Sequence, residues 1–369
     1  MSEKMHIAML IGSLTKGGAE RVMVNLADYF VKQEHTVTLV TLQKPENEYA
    51  LNDKVTRVIY DITPEETSGN RLINFKRRFC KLRNIWKSEK PDVILSFIGK
   101  NNMMAVLTSR FLHIPVAVSV RAEPSEEYNN FPMRFLARHL FTKADGVVLQ
   151  TGQCFDFFPK SVQKKAVILR NPVSVDFFRE RYEGEREKTI TAVGRVDENK
   201  NHEMLIRAFA GLAEEFPDYK LIIYGEGDSR ERLLHLIGEL GLSGRVSLPG
   251  AISNVADAIY KTRVFVLSSN TEGVPNTLIE AMLMGLTVVA TDCPCGGPAE
   301  LIEEGVNGIL TPVGDSNKMK ENLQFLLNNL QKADELGRNA MKTGDIYKPE
   351  IVYASWENFL YSLVENTAK

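Results

Sequence analysis

The sequence predicts an α/β protein built from two doubly wound parallel-sheet domains facing a cleft. Three observations carry this prediction. Short apolar runs rich in β-branched residues alternate with longer helical patterns, as in parallel sheets covered by helices on both faces. The alternation stops at a polar stretch, Glu180 to Lys188, and then starts again. At 369 residues the chain is also too long for one ordinary core. The expected domains are residues 1–175 and 176–349. A last helix at about 350–369 carries Tyr353, Trp356, Phe359, Leu360 and Leu363 on one face. It must bury that face and is expected to cross back onto the first domain.

In order, the first strand is His6 to Ile11. A glycine-containing turn, Gly12 to Gly18, then leads into a helix from Ala19 to Phe30. Open α/β sheets bind ligands at such a turn. This one is neither G-x-G-x-x-G nor G-x-x-x-x-G-K-[ST], and no acidic residue ends the next strand, Thr36 to Leu42. Dinucleotide and P-loop readings are therefore weak. Gly17 and Gly18 would let a phosphate or sugar approach the backbone and the helix start; the plain alternative is a tight turn needing positive φ. Further strands are expected at Val55–Tyr60, Val93–Ile98, Val116–Val120, Val147–Thr151 and Ala166–Leu169. Arg121 and Glu123 follow the strand that ends at Val120 and would stand over the site, or else form a surface ion pair of little worth.

Residues 71–90 are unusual. Arg71, Lys76, Arg77, Arg78, Lys81, Arg83, Lys87 and Lys90 face a single acid, Glu89. On a helix, Leu72, Phe75, Phe79, Leu82 and Trp86 share one side. Such a helix suits an anionic membrane surface, and a core-packed helix with a solvated basic face is the alternative. Met133 to Lys143 repeats the basic-apolar theme on a smaller scale.

The second half begins with a strand, Thr189 to Gly194, followed by Arg195, Lys200 and a helix from about His202 to Phe216. Two cations at a strand-to-helix turn match a diphosphate. Strands follow near Lys220–Tyr224, Val246–Leu248, Val264–Ser269, Thr287–Thr291 and Gly308–Leu310. Gly225-Glu226-Gly227 follows the first of these and could let a nucleotide approach. After Ser269 comes Glu272-Gly273-Val274-Pro275-Asn276-Thr277-Leu278-Ile279-Glu280. Pro275 suits a first helical position, which would leave the amides of Asn276, Thr277 and Leu278 free for an anion. Glu272 and Glu280 would serve sugar hydroxyls. The plain alternative is a helix with an acidic first turn.

Composition narrows the classes. Net charge is −2, yet residues 1–175 hold 25 Lys and Arg against 17 Asp and Glu, leaving 20 and 30 for the remainder. The halves should therefore meet different partners, the basic one a membrane surface or polyanion; no nucleic-acid partner is predicted. No run is long enough to span a bilayer, and the first residues lack the shape of a signal peptide. Four scattered cysteines suit a reducing compartment. A cytoplasmic protein, peripheral on the inner face of the cell membrane, is expected. Cys293-Pro294-Cys295 has no companion pair for a metal, and no metal site is predicted.

Taken together, these residues resemble the retaining glycosyltransferases of family 4, which have the two-Rossmann GT-B fold. The carriers are Gly17-Gly18-Ala19-Glu20-Arg21-Val22, Gly194-Arg195-Val196 with Lys200, Gly225-Glu226-Gly227, the pair Glu272 and Glu280, and Thr291-Asp292-Cys293-Pro294 before Gly296-Gly297-Pro298. The chain looks most similar to the bacterial branch that builds exopolysaccharide, capsule or lipid-linked oligosaccharide. That resemblance implies a nucleotide-sugar donor, a UDP-sugar, acting as substrate rather than cofactor, and a polyprenyl-linked glycan acceptor. It implies that Arg195 and Lys200 hold the donor diphosphate, that Glu272 binds the transferred sugar and Glu280 the ribose. The amides after Pro275 would add phosphate contacts, and Gly17 and Gly18 would sit against the donor. Relatives often carry a histidine near where Arg121 falls, which is a departure. No Asp-x-Asp occurs, so no metal requirement is expected. The competing readings are a nucleotide-sugar epimerase or phosphorylase on the same plan, and a non-catalytic nucleotide-sugar binding module.

Overall fold

The computed structural model describes residues 3–15 and 17–368. The chain divides into two compact units, Met1–Pro172 together with Pro349–Lys369, and Val173–Lys348.

The first unit is built on seven parallel strands: β1 (His6–Ile11), β2 (Thr36–Thr41), β3 (Thr56–Ile59), β4 (Val93–Phe97), β5 (Val116–Ser119), β6 (Gly146–Leu149) and β7 (Ala166–Ile168). Their spatial order is β3-β2-β1-β4-β5-β6-β7. The order reverses between β1 and β4, so the loops after these two strands flank the crevice in which such a sheet takes a ligand. β4 and β5 are buried along their whole length, which is why they read as unbroken apolar runs rather than alternating ones.

The helix Pro349–Ala368 lies on this sheet. Trp356 and Leu360 are fully buried, and the Trp356 indole N–H donates to the Arg170 carbonyl at 2.8 Å. Tyr353 stacks on Tyr29 at 4.5 Å, and Glu357 accepts from the Tyr29 hydroxyl at 2.8 Å. β6 opens with Gly146 because the Phe359 ring stands 2.5 Å from where a Cβ would be.

The helix Arg71–Glu89 divides its predicted apolar side in two. Leu82 and Trp86 are fully buried, while Leu72 is 78% and Phe75 48% exposed. Its C-terminal half is anchored on the helix Gly99–Ser109 and the residue after it: the Trp86 indole donates to Thr108 Oγ1 at 2.8 Å, and Arg83 donates to the Thr108 and Arg110 carbonyls, both at 2.7 Å. The N-terminal half is held instead to the preceding loop, Asn74 donating to the Ser68 carbonyl at 2.7 Å and Arg78 to Asp61 at 2.8 Å. The helix Phe131–Leu140 packs on the same helix Gly99–Ser109. It too presents apolar side chains outward, with Phe131 81% and Phe135 57% exposed.

The second unit holds β8 (Thr189–Val193), β9 (Lys220–Tyr224), β10 (Val246–Gly250), β11 (Val264–Leu267), β12 (Thr287–Thr291) and β13 (Ile309–Thr311). These are parallel in the order β10-β9-β8-β11-β12-β13, reversing between β8 and β11. The polar stretch Glu180 to Lys188 is stitched to this unit. Arg181 and Arg186 both donate to the Gly285 carbonyl at 3.2 Å, Arg186 also reaches the Thr262 carbonyl at 3.1 Å, and Arg181 pairs with Asp334 at 2.9 Å. Burial, with neighbouring Arg181, pushes the Arg186 pKa down to about 10. Among the described residues, no helix is long and apolar enough to cross a membrane.

Candidate active site

The loops after β8 and β11 flank the reversal point of the second sheet, and side-chain amides zip them together. Asn199 donates to the Thr271 carbonyl at 3.0 Å and accepts from the Thr271 amide and hydroxyl at 3.1 and 2.8 Å. Asn201 donates to Asn270 Oδ1 at 2.9 Å, and Ser268 Oγ donates to the Lys200 carbonyl at 2.8 Å. Asn201 also caps the helix His202–Ala210 from a left-handed conformation, φ 45°. The sequence reading missed these asparagines. Asparagine is common in loops, and only the register of two loops distant in sequence reveals the pairing.

This zipper brings Lys200 and Glu272 together. Lys200 Nζ bonds Glu272 Oε1, which also accepts from Ser269 Oγ at 2.6 Å. The two side chains are 16% and 13% exposed. Asp197 serves both cations of the turn. One oxygen accepts the Lys200 amide at 2.9 Å, and the other pairs with Arg195 at 3.1 Å. Both predicted diphosphate-holding cations therefore already have an acid partner. The Arg195–Asp197 pair is open to exchange, the Arg195 side chain being 67% exposed, whereas the Lys200–Glu272 pair is largely buried.

Gly225 and Gly227 make room for neighbouring backbone. They have φ of 151° and 159°, and an added Cβ would fall 1.8 Å from the Gly194 carbonyl oxygen and 2.4 Å from that of Val196. They let the loops after β8 and β9 interlock. The helix start also differs from expectation. Pro275, φ −76° and ψ 111°, precedes the helix Asn276–Leu283 rather than opening it. Its carbonyl accepts the Leu278 amide at 3.1 Å, so Leu278 drops out of the predicted set of free donors, which Asn276 and Thr277 had completed. Val274 lies in the same turn, tightly backed: a Cβ on Gly297 would sit 1.6 Å from the Gly273 carbonyl oxygen. The Glu272 amide donates to the Pro294 carbonyl at 2.8 Å. Glu280, on the helix, is 1% exposed. Cys293 has its thiol pushed up to about 12 by burial, with Glu272 adding to the effect.

His202 was not singled out from sequence. It is buried, and its Nε2 bonds the Arg195 carbonyl at 3.2 Å. Burial, aided by Lys200, holds its pKa down to about 4. Between pH 6.5 and 4 the unfolded chain takes up a proton that the fold refuses. Stability is therefore complete above pH 6.5 and falls as pH drops through that window, by up to roughly 3 kcal/mol. Thermal unfolding at pH 7.5 and 4.5 should show a smaller acid loss for His202→Gln than for the wild type. Equal losses would reject the assignment.

On the first unit, the turn after β1 is pinned by Glu48, which accepts the Leu14 amide at 2.8 Å and receives Arg57 at 2.6 and 3.0 Å. Gly17, with φ −121° and ψ 170°, is extended and precedes the helix that starts at Gly18; neither has positive φ. Lys16, within this turn, lies outside the described residues. Arg121 is half-buried at the carboxyl end of β5, beside the last residue of β4. Its guanidinium bonds Asn171 Oδ1, lies 4.8 Å from the Phe97 ring centre, and approaches Trp356 at 6.0 Å. Burial pushes its pKa down to about 10, against the pull of Glu127. Glu123 turns to Ser125, accepting from its amide at 3.3 Å and hydroxyl at 2.9 Å. Arg121 and Glu123 thus bond separate partners and do not form the surface ion pair that was the alternative reading.

Two family models cover the chain. Glycosyltransferase Family 4 matches residues 16–177, and Glycosyl transferases group 1 matches residues 175–343. A Campylobacter jejuni N-acetylgalactosamine-N,N'-diacetylbacillosaminyl-diphospho-undecaprenol 4-α-N-acetylgalactosaminyltransferase is 30% identical over 361 residues, covering 91% of this chain and 94% of the relative. A second Campylobacter jejuni α-1,4-N-acetyl-D-galactosaminyltransferase, also named for a diphospho-undecaprenol acceptor, is 28% identical over 95% of this chain and 97% of its own. Among solved structures, Anabaena HepE in complex with UDP superposes with a TM-score of 0.81 at 18% identity, covering 97% of this chain and all of that one. Sucrose-phosphate synthase from Thermosynechococcus elongatus gives the same score at 18% identity, covering 98% and 100%. The chain belongs to glycosyltransferase family 4, with the GT-B fold of two Rossmann-like domains, among the enzymes of bacterial glycan biosynthesis.

Proposed function

We propose that this enzyme moves a hexose or N-acetylhexosamine from a UDP-sugar to a hydroxyl of a lipid-linked glycan, with retention of configuration and without a metal. The observation that carries the reading is the Lys200–Glu272 pair at the reversal point of the second sheet, with Arg195 on the same loop. When the donor diphosphate enters, Lys200 and Arg195 exchange their internal carboxylates for it. Glu272, relieved of Lys200, accepts the hydroxyls of the transferred sugar. The amides of Asn276 and Thr277 add to the phosphate contacts, and Glu280 serves the ribose. Gly17 and Gly18 approach the donor phosphate and sugar. As the glycosidic bond breaks, charge gathers on the β-phosphate oxygen, where these cations stabilise it. The departing phosphate then takes the acceptor proton on the face it leaves, which retains configuration.

A lipid-linked acceptor is supported by the names of the two Campylobacter relatives, and a UDP donor by the ligand of HepE. The test is transfer from UDP-glucose, UDP-galactose and their N-acetyl forms to diphospho-undecaprenol glycans, with the product's anomeric coupling read by NMR. An α-linked product made in the presence of EDTA supports the proposal. A β-linked product, or activity that disappears with EDTA and returns with a divalent ion, overturns the corresponding part.

The proposed acceptor-side partner is an anionic bilayer at the cytoplasmic face. Leu72, Phe75, Phe131 and Phe135 are exposed on two helices that share one supporting helix. Exposed Arg71, Lys76 and Arg77 lie beside the first of them. Arg78 and Lys81 are less available, paired with Asp61 at 2.8 Å and Glu66 at 2.6 Å. In flotation with anionic vesicles, changing Phe75 and Phe135 to Asp, or Arg71, Lys76 and Arg77 to Gln, should each reduce bound protein severalfold. Unchanged flotation in both variants rejects the membrane partner.

A further inference from the structure

β4 and β5 are neighbours in the first sheet, Phe97 pairing with Ser119. β4 also borders β1, where the strand order reverses. The turn after β4 is strained: Ile98, a β-branched residue, has φ 71°, and Gly99 has φ 37°. Such a turn persists only where its surroundings hold it. Here one carboxylate, on the short helix Pro124–Glu127 that follows β5, supplies much of that hold. Glu127 accepts the Gly99 amide at 2.6 Å through one oxygen, and the Arg121 and Ala122 amides at 3.0 and 3.2 Å through the other. The Tyr128 hydroxyl, itself fully buried, donates to the first oxygen at 3.0 Å. Two loops at the carboxyl edge are thereby tied through this side chain, beside the Ile98 amide and Asn102 Nδ2, which donate to the Ser119 carbonyl at 3.2 and 2.8 Å. The locked segment continues into Asn101, whose Nδ2 lies 3.7 Å from where a Cβ on Gly12 would be, so it borders the turn after β1 as well.

We propose that Glu127 is a positioning residue for the acceptor: it fixes the turns after β4 and β5 at the crevice of the first sheet, where the acceptor hydroxyl is presented. The inference rests on the reading of the first unit as the acceptor side. A carboxylate is required because both its oxygens act only as acceptors. Glutamine would turn an amino group toward one set of backbone N–H groups, releasing either Gly99 or the Arg121–Ala122 pair. Aspartate is one methylene too short to reach both loops.

The test compares wild type, Glu127→Gln and Glu127→Asp as full-length proteins. Acceptor KM is expected to rise at least 10-fold in Glu127→Gln, with kcat at saturating acceptor and the thermal shift produced by UDP within about 2-fold of wild type. Amide hydrogen exchange at Gly99, Arg121 and Ala122 is expected to quicken 100-fold or more while the interior of β4 and β5 stays protected. Glu127→Asp should show the same pattern, so misfolding of one variant does not decide the matter. Unchanged acceptor KM with unchanged exchange overturns the proposal. So does a uniform loss in which exchange quickens across the whole sheet and kcat and KM deteriorate together, because that describes a purely structural residue. If the wild type transfers sugar to no acceptor, the transferase reading itself fails, and exchange at the three amides alone decides whether the lock exists.

Discussion

Replacing Lys200 by alanine is expected to lower kcat/KM for the donor about 10²–10³-fold, the loss seen when one preorganised charge-stabilising donor is removed. The effect has two sources. The β-phosphate loses the cation that would meet its developing charge. Glu272, with its side chain only 13% exposed, keeps Ser269 Oγ as a partner but loses its ion pair. An unpaired, largely buried carboxylate next to a diphosphate repels the donor before any chemistry begins. Glu272→Gln should also be impaired, through the sugar hydroxyls. The double variant is informative because the two side chains touch, and contacting residues do not contribute additively. Its activity should lie well above the product of the two single losses. Steady-state kinetics on the four proteins measures this, and strictly multiplicative losses would show that the Lys200–Glu272 contact plays no part in donor binding.

Trp356→Ala is expected to carry the largest stability cost, roughly 3–5 kcal/mol, as for other fully buried large aromatics. Trp356 has no solvent exposure, so its removal leaves a cavity against Phe97, whose ring centre lies 5.8 Å away. The Arg170 carbonyl also loses its indole donor, and the Arg121 guanidinium loses one of two aromatic neighbours. In a unit of this size the melting temperature should fall by about 10 °C. The damage should be confined to the first unit. Calorimetry should show one lowered transition and one unmoved, with the UDP-induced shift staying with the unmoved one. A single transition lowered as a whole would mean that the units do not melt separately.

How much of this could be read from sequence follows from what each signal measures. Buried parallel strands advertise themselves as apolar runs, and all thirteen occur within two or three residues of the expected positions. Lys200 and Glu272 were legible as chemistry, but their pairing was not. It depends on Asn199, Asn201 and Asn270 clasping two loops some seventy positions apart. Glu127 was invisible for the same reason. It is one of three acids in a short segment, and only the folded chain shows which carboxylate meets amides from the turns after β4 and β5. The helix Arg71–Glu89 was ambiguous because its two halves differ: Leu82 and Trp86 are buried in the core, while Leu72 and Phe75 are exposed. The partners of Arg121 were not legible, because they come from segments far from it in sequence. Phe97, Asn171 and Trp356 surround its half-buried guanidinium.

The packing of Pro349–Ala368 onto the first sheet has a consequence for how the chain is made. The second unit is contiguous, whereas the first is interrupted for the 176 residues from Val173 to Lys348. At ordinary rates of translation the ribosome needs roughly 9–35 s to cross that interval. Throughout it, the seven strands of the first unit are already synthesised but lack Trp356, Leu360 and Glu357. The usual vectorial order, in which the earlier domain matures first, is therefore inverted: the later-born unit completes its fold while the earlier one waits, its sheet uncovered, for a helix not yet synthesised.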